Sequence, residues 1–362
     1  MVSLSMDEQI SALQKAAAGR PGVIGLAGGL PADELLPREE LGRALAHVVT
    51  TRDDALQYGW PEGVVRLRAW IAERLAARGA RVDAERVIVT AGAQQALAIA
   101  AQVLRDRSIA VGEATYPGAL DAFRGAGVAI EVERGDVRYV IAGVTNPHGL
   151  AEDASRALAA TCPLIVDEAY AELRFDGTIR RPLIADANDR VWHVGTISKT
   201  VAPGLRVGWL VPPATHHAAA LEHKQATDLQ TASVCQAGLA RLLQAIDYDA
   251  MLAKARAFYR DRAEQLLLGL RRHVPGVRFV EPEGGFSIWV ETDDDIDELV
   301  FLEAALDAGV MVDPGSAFSP VPRESLAFRA SYSSSGELAE ASKRLEVALT
   351  RAARAPRRRH PT

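Results

Sequence analysis

The feature that most constrains the fold is the alternation of short apolar runs with amphipathic helical stretches through the middle of the chain. Seven runs are predicted as strands, at residues 86–90, 108–112, 129–132, 138–142, 163–167, 190–195 and 206–211. Residues 92–104, between the first two runs, have the spacing of a helix. Apolar strands separated by helices indicate a mostly parallel sheet that is covered on both faces. The sequence therefore predicts an α/β fold here.

A different pattern follows Pro213. A helical tract extends to about Arg272, with one break predicted near Tyr248, and further strands are predicted at residues 277–280, 286–290, 310–312 and 326–332. This pattern predicts a smaller α+β domain. The domain boundaries that we expect are an N-terminal segment joining the small domain (1–44), a large domain (45–245), the small domain (246–350) and a disordered basic tail (351–362).

Composition excludes several classes of protein. The chain has 362 residues, 48% of them hydrophobic and 24% charged, which is typical of a globular protein. A net charge of −6 argues against nucleic acid as the main partner, and no apolar run is long enough for a membrane span. Two cysteines cannot form a disulfide framework, and the histidines lack the spacing of metal ligands. The N-terminus does not resemble a secretory signal, so a cytoplasmic location is expected. No metal ion is expected in the protein.

Polar residues or glycine stand at or just past the ends of several predicted strands. They are Gly92, Tyr116, Asn146, Asp167 and Lys199. In parallel α/β sheets, ligands bind outside the carboxyl ends of the strands. We therefore expect these residues to meet at one edge of the sheet and to form a site there.

The lysine content singles out one of these residues. Only five of the 41 basic residues are lysines, and Lys199 lies in the uncharged segment GTISKTVAPG (195–204). An amine can attack a carbonyl group, whereas a guanidinium cannot, so Lys199 is a candidate nucleophile. Lys224, Lys254 and Lys343 lie in polar helical patterns and are expected to face solvent.

Three of these features together suggest one cofactor. The helix that begins after Gly92 and the guanidinium of Arg206 could bind an anion such as a phosphate. Lys199 could bond an aldehyde, and Asp167, at the end of an apolar strand, could pair with a protonated ring nitrogen. Pyridoxal phosphate (PLP) requires all three.

Longer segments resemble a known family. The segment SKTVAPGLRVG (198–208) is very similar to the lysine motif of the class I aminotransferases of PLP fold type I. Similar landmarks are GGLP (28–31), LQYGWPEG (56–63), TAGAQQAL (90–97), VDPGSAF (312–318) and FRASYS (328–333). The resemblance is greatest to the 2-aminoadipate and kynurenine aminotransferase branch, which also supplies the sensor domain of MocR-type regulators. It covers roughly residues 20–350.

The resemblance implies a PLP-dependent transferase fold and a role for each matching residue. Lys199 would form an aldimine with the cofactor and move a proton between Cα and C4′, through a ketimine and a pyridoxamine form. Asp167 would pair with the ring nitrogen, Asn146 and Tyr170 would bind the ring hydroxyl, and Tyr116 would stack on the ring. The phosphate would be held by Ala93, Gln94, Thr196, Ser198 and Arg206.

The resemblance also implies an L-amino acid and a 2-oxo acid as substrates. Arg329 would bind the α-carboxylate, with Gly29 and Asn146 beside it, and Tyr58 would reach the site of a neighbouring subunit in a homodimer. The residues alone leave another possibility for Arg329, because Glu324 or Glu337 could neutralise it within the protein.

Other functions share parts of this pattern. A PLP-dependent lyase or cyclase acting on a modified amino acid would need every cofactor residue named above. A ligand-sensing module is the third possibility, but MocR-type regulators carry a winged helix before this domain, and only about 20 residues precede the match here. Tyr116 and Asn146 are only 30 positions apart, which is fewer than the family usually has, and the N-terminal segment is also short. The amino donor and the acceptor are therefore left open.

Overall fold

A computed structural model describes residues 6–51, 53–152 and 161–355. Its strands are β1 (Ile24–Leu26), β2 (Ile88–Thr90), β3 (Ser108–Val111), β4 (Ala129–Val132), β5 (Val137–Ile141), β6 (Gly143–Val144), β7 (Ala151–Glu152), β8 (Leu164–Asp167), β9 (Val191–Thr196), β10 (Gly208–Val211), β11 (Val277–Phe279), β12 (Ser287–Thr292), β13 (Val310–Pro314) and β14 (Ala327–Ser331). Its α-helices are α1 (Met6–Ala17), α2 (Arg38–Thr51), α3 (Val65–Ala77), α4 (Ala93–Val103), α5 (Pro117–Gly125), α6 (His217–Asp228), α7 (Ser233–Ala245), α8 (Tyr248–His273), α9 (Glu298–Ala308) and α10 (Leu338–Arg354). Within these ranges, every helix is too short or too polar to cross a bilayer.

The larger sheet has seven strands in the order β2-β10-β9-β8-β5-β3-β4. Neighbouring strands pair in parallel except β10, which is antiparallel to both β2 and β9. Every residue of β8 and β9 is buried, as expected for strands that are covered on both faces. The predicted α/β class is confirmed, and each strand predicted in this region is present with its ends shifted by at most two residues.

The smaller sheet has five strands in the order β1-β13-β14-β12-β11. Strand β1 is parallel to β13, and the other neighbours are antiparallel. Because β1 lies at the edge of this sheet, the N-terminal segment contributes a strand to the C-terminal part of the chain. The domain boundaries at residues 45 and 246 stay a prediction.

The helical tract after Pro213 differs from the prediction in two respects. It is broken twice, because α6 ends at Asp228 with Leu229 in a left-handed conformation (φ 60°) before α7 begins. Lys224 on α6 is fully buried and forms an ion pair with Asp228, so the prediction that it faces solvent is wrong. The physical reason is that α6 packs against α4, which a polar sequence pattern does not show.

The structure describes only the start of the predicted C-terminal tail. Helix α10 continues through Arg354, so the first four residues of the predicted tail are helical. Residues 356–362 lie outside the described residues.

Candidate active site

A cavity of about 210 Å³ lies at the carboxyl edge of the larger sheet. Twelve of the thirteen predicted site residues line it: Gly29, Ala93, Gln94, Tyr116, Asn146, Asp167, Tyr170, Thr196, Ser198, Lys199, Arg206 and Arg329. Asp167 and Thr196 are the last residues of β8 and β9, and Ala93 is the first residue of α4. The strand ends therefore meet as the rule for parallel sheets predicts.

Tyr58 is the predicted site residue that does not line this cavity. Its side chain is 81% exposed, and it lies near Trp60, which is 80% exposed, beside a separate surface pocket. Within one chain, Tyr58 and the other predicted residues are therefore not brought together.

One end of the cavity has the properties of an anion site. Helix α4 begins after Gly92, which has a φ of +85°, and its first N–H groups have no intrahelical partners. The Arg206 guanidinium lies across this helix start, where its Nη2 donates to the Ala91 carbonyl at 3.1 Å. A Cβ atom at Gly92 would lie 2.6 Å from Nη2 of Arg206. Glycine is therefore required at position 92 for the guanidinium to approach the helix.

Two hydroxyl groups lie beside this helix start. The Thr196 hydroxyl donates to the Val207 carbonyl at 2.9 Å, lies 2.9 Å from Ser198 Oγ and accepts from the Ser198 backbone N–H at 3.1 Å. Together with Arg206 and the helix N–H groups, the Ser198 hydroxyl gives donors that a phosphate needs.

Asp167 places a carboxylate deep in the cavity, where the residue is only 3% exposed. Burial raises the pKa of its carboxyl group, and two hydrogen bonds oppose that shift. The donors are the Ala169 backbone N–H, at 3.0 Å from Oδ1, and the Tyr139 hydroxyl, at 3.0 Å from Oδ2. A cationic N–H group that reached Asp167 would favour its ionised form.

Tyr139 is a site residue that sequence reasoning missed. It lies on β5, where it pairs with Ile165, two residues before Asp167 on β8. The alternation of the pleat puts Ile165 and Asp167 on the same face, so the tyrosine hydroxyl can reach the carboxylate. The available signal was a tyrosine within an apolar strand, because a buried hydroxyl needs a hydrogen-bonding partner.

Two further tyrosines line the cavity with protonated hydroxyl groups. Burial raises the pKa of Tyr116 and of Tyr170 to about 12. Near neutral pH both hydroxyls can therefore donate hydrogen bonds to an acceptor in the cavity. Tyr116 immediately precedes α5, whose first residue is Pro117, and this places its ring near Gln94.

Lys199 supplies a buried amine. Its Nζ atom donates to the Gly29 carbonyl at 2.7 Å and lies 5.5 Å from the centre of the Tyr170 ring. Burial, and then the positive charge of Arg329, lower the pKa of Lys199 to about 8. A large fraction of this amine is therefore neutral and nucleophilic at mildly alkaline pH.

Arg329 forms the end of the cavity that lies on the smaller sheet. Its Nε and Nη2 donate to Asp313 Oδ2 at 3.0 and 2.7 Å, and its Nη1 donates to Asn146 Oδ1 at 2.8 Å. The acidic partner is therefore Asp313, directly opposite on β13, rather than Glu324 or Glu337.

Comparisons with known proteins show the family of this chain. The family model for aminotransferase class I and II matches residues 139–345. The chain is 33% identical to aromatic-amino-acid aminotransferase 1 of Thermococcus litoralis (82% of this chain, 80% of that protein). It is 31% identical to 2-aminoadipate transaminase of Thermus thermophilus (83% and 82%). The fold is similar to a solved structure of the α-aminoadipate aminotransferase of T. thermophilus, which is complexed with N-(5′-phosphopyridoxyl)-L-leucine. The TM-score is 0.85 and the sequence identity is 29%, and the match covers 96% of this chain and 98% of that one.

The residues of the cavity fit pyridoxal phosphate. The helix start beside Arg206 matches its phosphate, the Lys199 amine its aldehyde, and the buried carboxylate of Asp167 its ring nitrogen. The solved relatives have PLP fold type I, and this chain has the same fold. The chain belongs to the class I and II aminotransferases and is a PLP-dependent enzyme.

Proposed function

We propose that this enzyme transfers the amino group of an L-amino acid to a 2-oxo acid, with Lys199 as the residue that holds the cofactor. The observation that carries the proposal is a buried amine, with a pKa near 8, in one cavity with two cationic groups. Arg206 lies at the helix start and Arg329 at the opposite sheet. This arrangement suits a phosphate at one end and a carboxylate at the other.

Different residues of the cavity would bind different parts of the cofactor. Bound pyridoxal phosphate supplies an aldehyde for amines and a ring that withdraws electrons from Cα. The phosphate would be bound by Ala93, Gln94, Thr196, Ser198 and Arg206. Asp167 would keep the ring nitrogen protonated, because a nearby carboxylate favours a cation. Asn146 and Tyr170 would bind the ring hydroxyl, and Tyr116 would stack on the ring.

Lys199 would also act as the base. Its Nζ atom is held against the Gly29 carbonyl, on the side of the cavity where Arg329 would hold the substrate. Its low pKa leaves it able to accept the proton of substrate Cα. Gly29 supports this arrangement, since a Cβ atom there would lie 2.7 Å from the Tyr170 hydroxyl.

The proposal includes a homodimer. Tyr58 and Trp60 are large aromatic side chains that are almost fully exposed, and the pocket beside them is outside the cavity of their own chain. Exposed aromatic residues that are close together favour an interface. A second subunit would let Tyr58 contact a phosphate in the partner's site.

The pKa of Lys199 gives a testable pH dependence. Cofactor-free enzyme should bind PLP covalently at a rate that rises about tenfold per pH unit below pH 8 and levels off above it, because only the neutral amine reacts. Stopped-flow absorbance after mixing with PLP measures this rate. A midpoint near 10.5, the value of an ordinary lysine, would contradict the role of burial and Arg329.

The substrate part of the proposal is tested by Arg329→Lys. A lysine cannot offer the planar pair of donors that binds a carboxylate, so kcat/KM for an α-amino acid should fall roughly 10- to 100-fold. The matched control is an amine with the same side chain and no carboxylate, for which kcat/KM should change less than about threefold. Equal losses for both compounds would show that Arg329 has a structural role instead.

A further inference from the structure

The carboxylate of Asp313 connects two parts of the site that are far apart in sequence. Asp313 lies on β13, directly opposite Arg329 on β14, and its Oδ2 accepts from both Nε and Nη2 of that residue. The same carboxylate accepts the backbone N–H of Gly28, at 3.0 Å from Oδ1 and 2.9 Å from Oδ2. The Asp313 side chain thus contacts both the guanidinium of Arg329 and the backbone of the loop that begins at Gly28.

The loop, residues 28–30, follows β1 and borders the cavity. Leu26, the last residue of β1, pairs with Val312 on β13. Two residues after Leu26, the backbone N–H of Gly28 donates to the Asp313 side chain instead of to a backbone carbonyl of β13. The Gly29 carbonyl accepts from Lys199, and the Leu30 carbonyl accepts from the Ser333 hydroxyl. Each residue of the loop is therefore hydrogen-bonded to the site or to its immediate surroundings.

The contacts of Arg329 determine which of its edges can bind a ligand. A guanidinium has five N–H donors, and Asp313 and Asn146 occupy three of them. One donor remains on Nη1 and one on Nη2. Since Asp313 occupies the edge formed by Nε and Nη2, a substrate carboxylate must bind through the remaining donors.

We propose that Asp313 is a positioning and specificity-determining residue that holds Arg329 and the loop 28–30 as one unit. The proposal rests on the proposed function, because it requires that Arg329 bind the substrate α-carboxylate. Without Asp313 the guanidinium can rotate away from the Asn146 side of the cavity, and the Gly28 N–H loses its acceptor. The kcat/KM of substrates with an α-carboxylate would then fall toward that of amines that lack one.

The test compares an α-amino acid with the amine of the same side chain. In Asp313→Ala, the ratio of their kcat/KM values should fall about 100-fold, mostly through KM of the amino acid, while the PLP content stays normal. Asp313→Asn retains an acceptor oxygen but loses the charge that pairs with Arg329, so the ratio should fall less than in Asp313→Ala without recovering fully. Glu291→Ala, which removes a carboxylate of the smaller sheet that is paired with Arg323, should leave the ratio unchanged.

A second measurement separates positioning from a general loss of structure. Hydrogen–deuterium exchange of the holoenzyme should show faster exchange at residues 24–36 in Asp313→Ala, and unchanged exchange in the larger sheet. If this variant does not fold, Asp313→Glu replaces it, because the longer side chain displaces the carboxylate and should lower the same ratio.

The outcomes distinguish this inference from the proposed function. A ratio that falls in Arg329→Lys and not in Asp313→Ala or Asp313→Glu would overturn the inference alone. A ratio unchanged in Arg329→Lys would show that Arg329 does not bind the α-carboxylate, and the proposed substrate site would fail with the inference. Unchanged exchange at Gly28 in Asp313→Ala would likewise contradict the connection to the loop.

Discussion

Replacing Lys199 with alanine is expected to lower kcat for amino-group transfer by at least about 10⁴-fold. In the proposed function, the variant loses both the amine that would hold the cofactor and the base that would act at substrate Cα, and each should contribute a large factor. PLP should still bind through the phosphate site, since Arg206 and the start of α4 do not depend on Lys199. The absorbance of the lysine-bound cofactor should disappear.

Two controls make the result specific. Lys343→Ala removes an exposed amine that contacts Glu340, and it should have wild-type activity. Borohydride reduction followed by peptide mapping should place the cofactor on Lys199. Attachment to Lys224, which is buried beside Asp228, would overturn the assignment of the whole cavity.

The second large effect is expected for Asp167→Asn. The neutral amide cannot pair with a cationic ring nitrogen, and loss of a buried ion pair typically costs several kcal/mol. We expect removal of the Cα proton to slow about 10³-fold, while PLP remains bound. Single-turnover absorbance with deuterated and undeuterated amino acid measures this step. An unchanged rate would show that Asp167 does not contact the ring.

Tyr139→Phe should also slow removal of the Cα proton, but by a smaller factor than Asp167→Asn. The hydroxyl donates to Asp167, and a hydrogen bond to a charged group is worth about 1.5–3 kcal/mol, so roughly a tenfold slower step is expected. Tyr332→Phe is the matched control, because its buried hydroxyl donates to the Gly284 carbonyl instead. If both variants had the same effect, the slower step would reflect the general loss of a buried hydrogen bond and not the contact of Tyr139 with Asp167.

Residues that follow strands were predictable from the sequence. Asp167, Asn146 and Lys199 each stand at or beyond the end of an apolar run, and the geometry of parallel sheets brings such positions to one edge. The strands themselves were predictable because β8 and β9 are buried on both faces and therefore consist mainly of apolar residues.

Contacts across strands were not predictable. Asp313 and Arg329 are 16 positions apart, and Tyr139 and Asp167 are 28 apart, so their pairing depends on strand register. A single sequence contains no direct signal for register between distant strands. Lys224 was missed for a related reason, since the packing of α6 against α4 buries a residue that lies among polar neighbours.

The most direct test of the central claim is a single-turnover reaction without an acceptor. Holoenzyme is mixed with each of a panel of amino acids, and the cofactor absorbance and the products are followed together. A transaminase should convert its cofactor to the aminated form and release one 2-oxo acid per active site, and addition of a 2-oxo acid should reverse the change. Release of ammonia or carbon dioxide with the original absorbance restored would identify a lyase and contradict amino-group transfer.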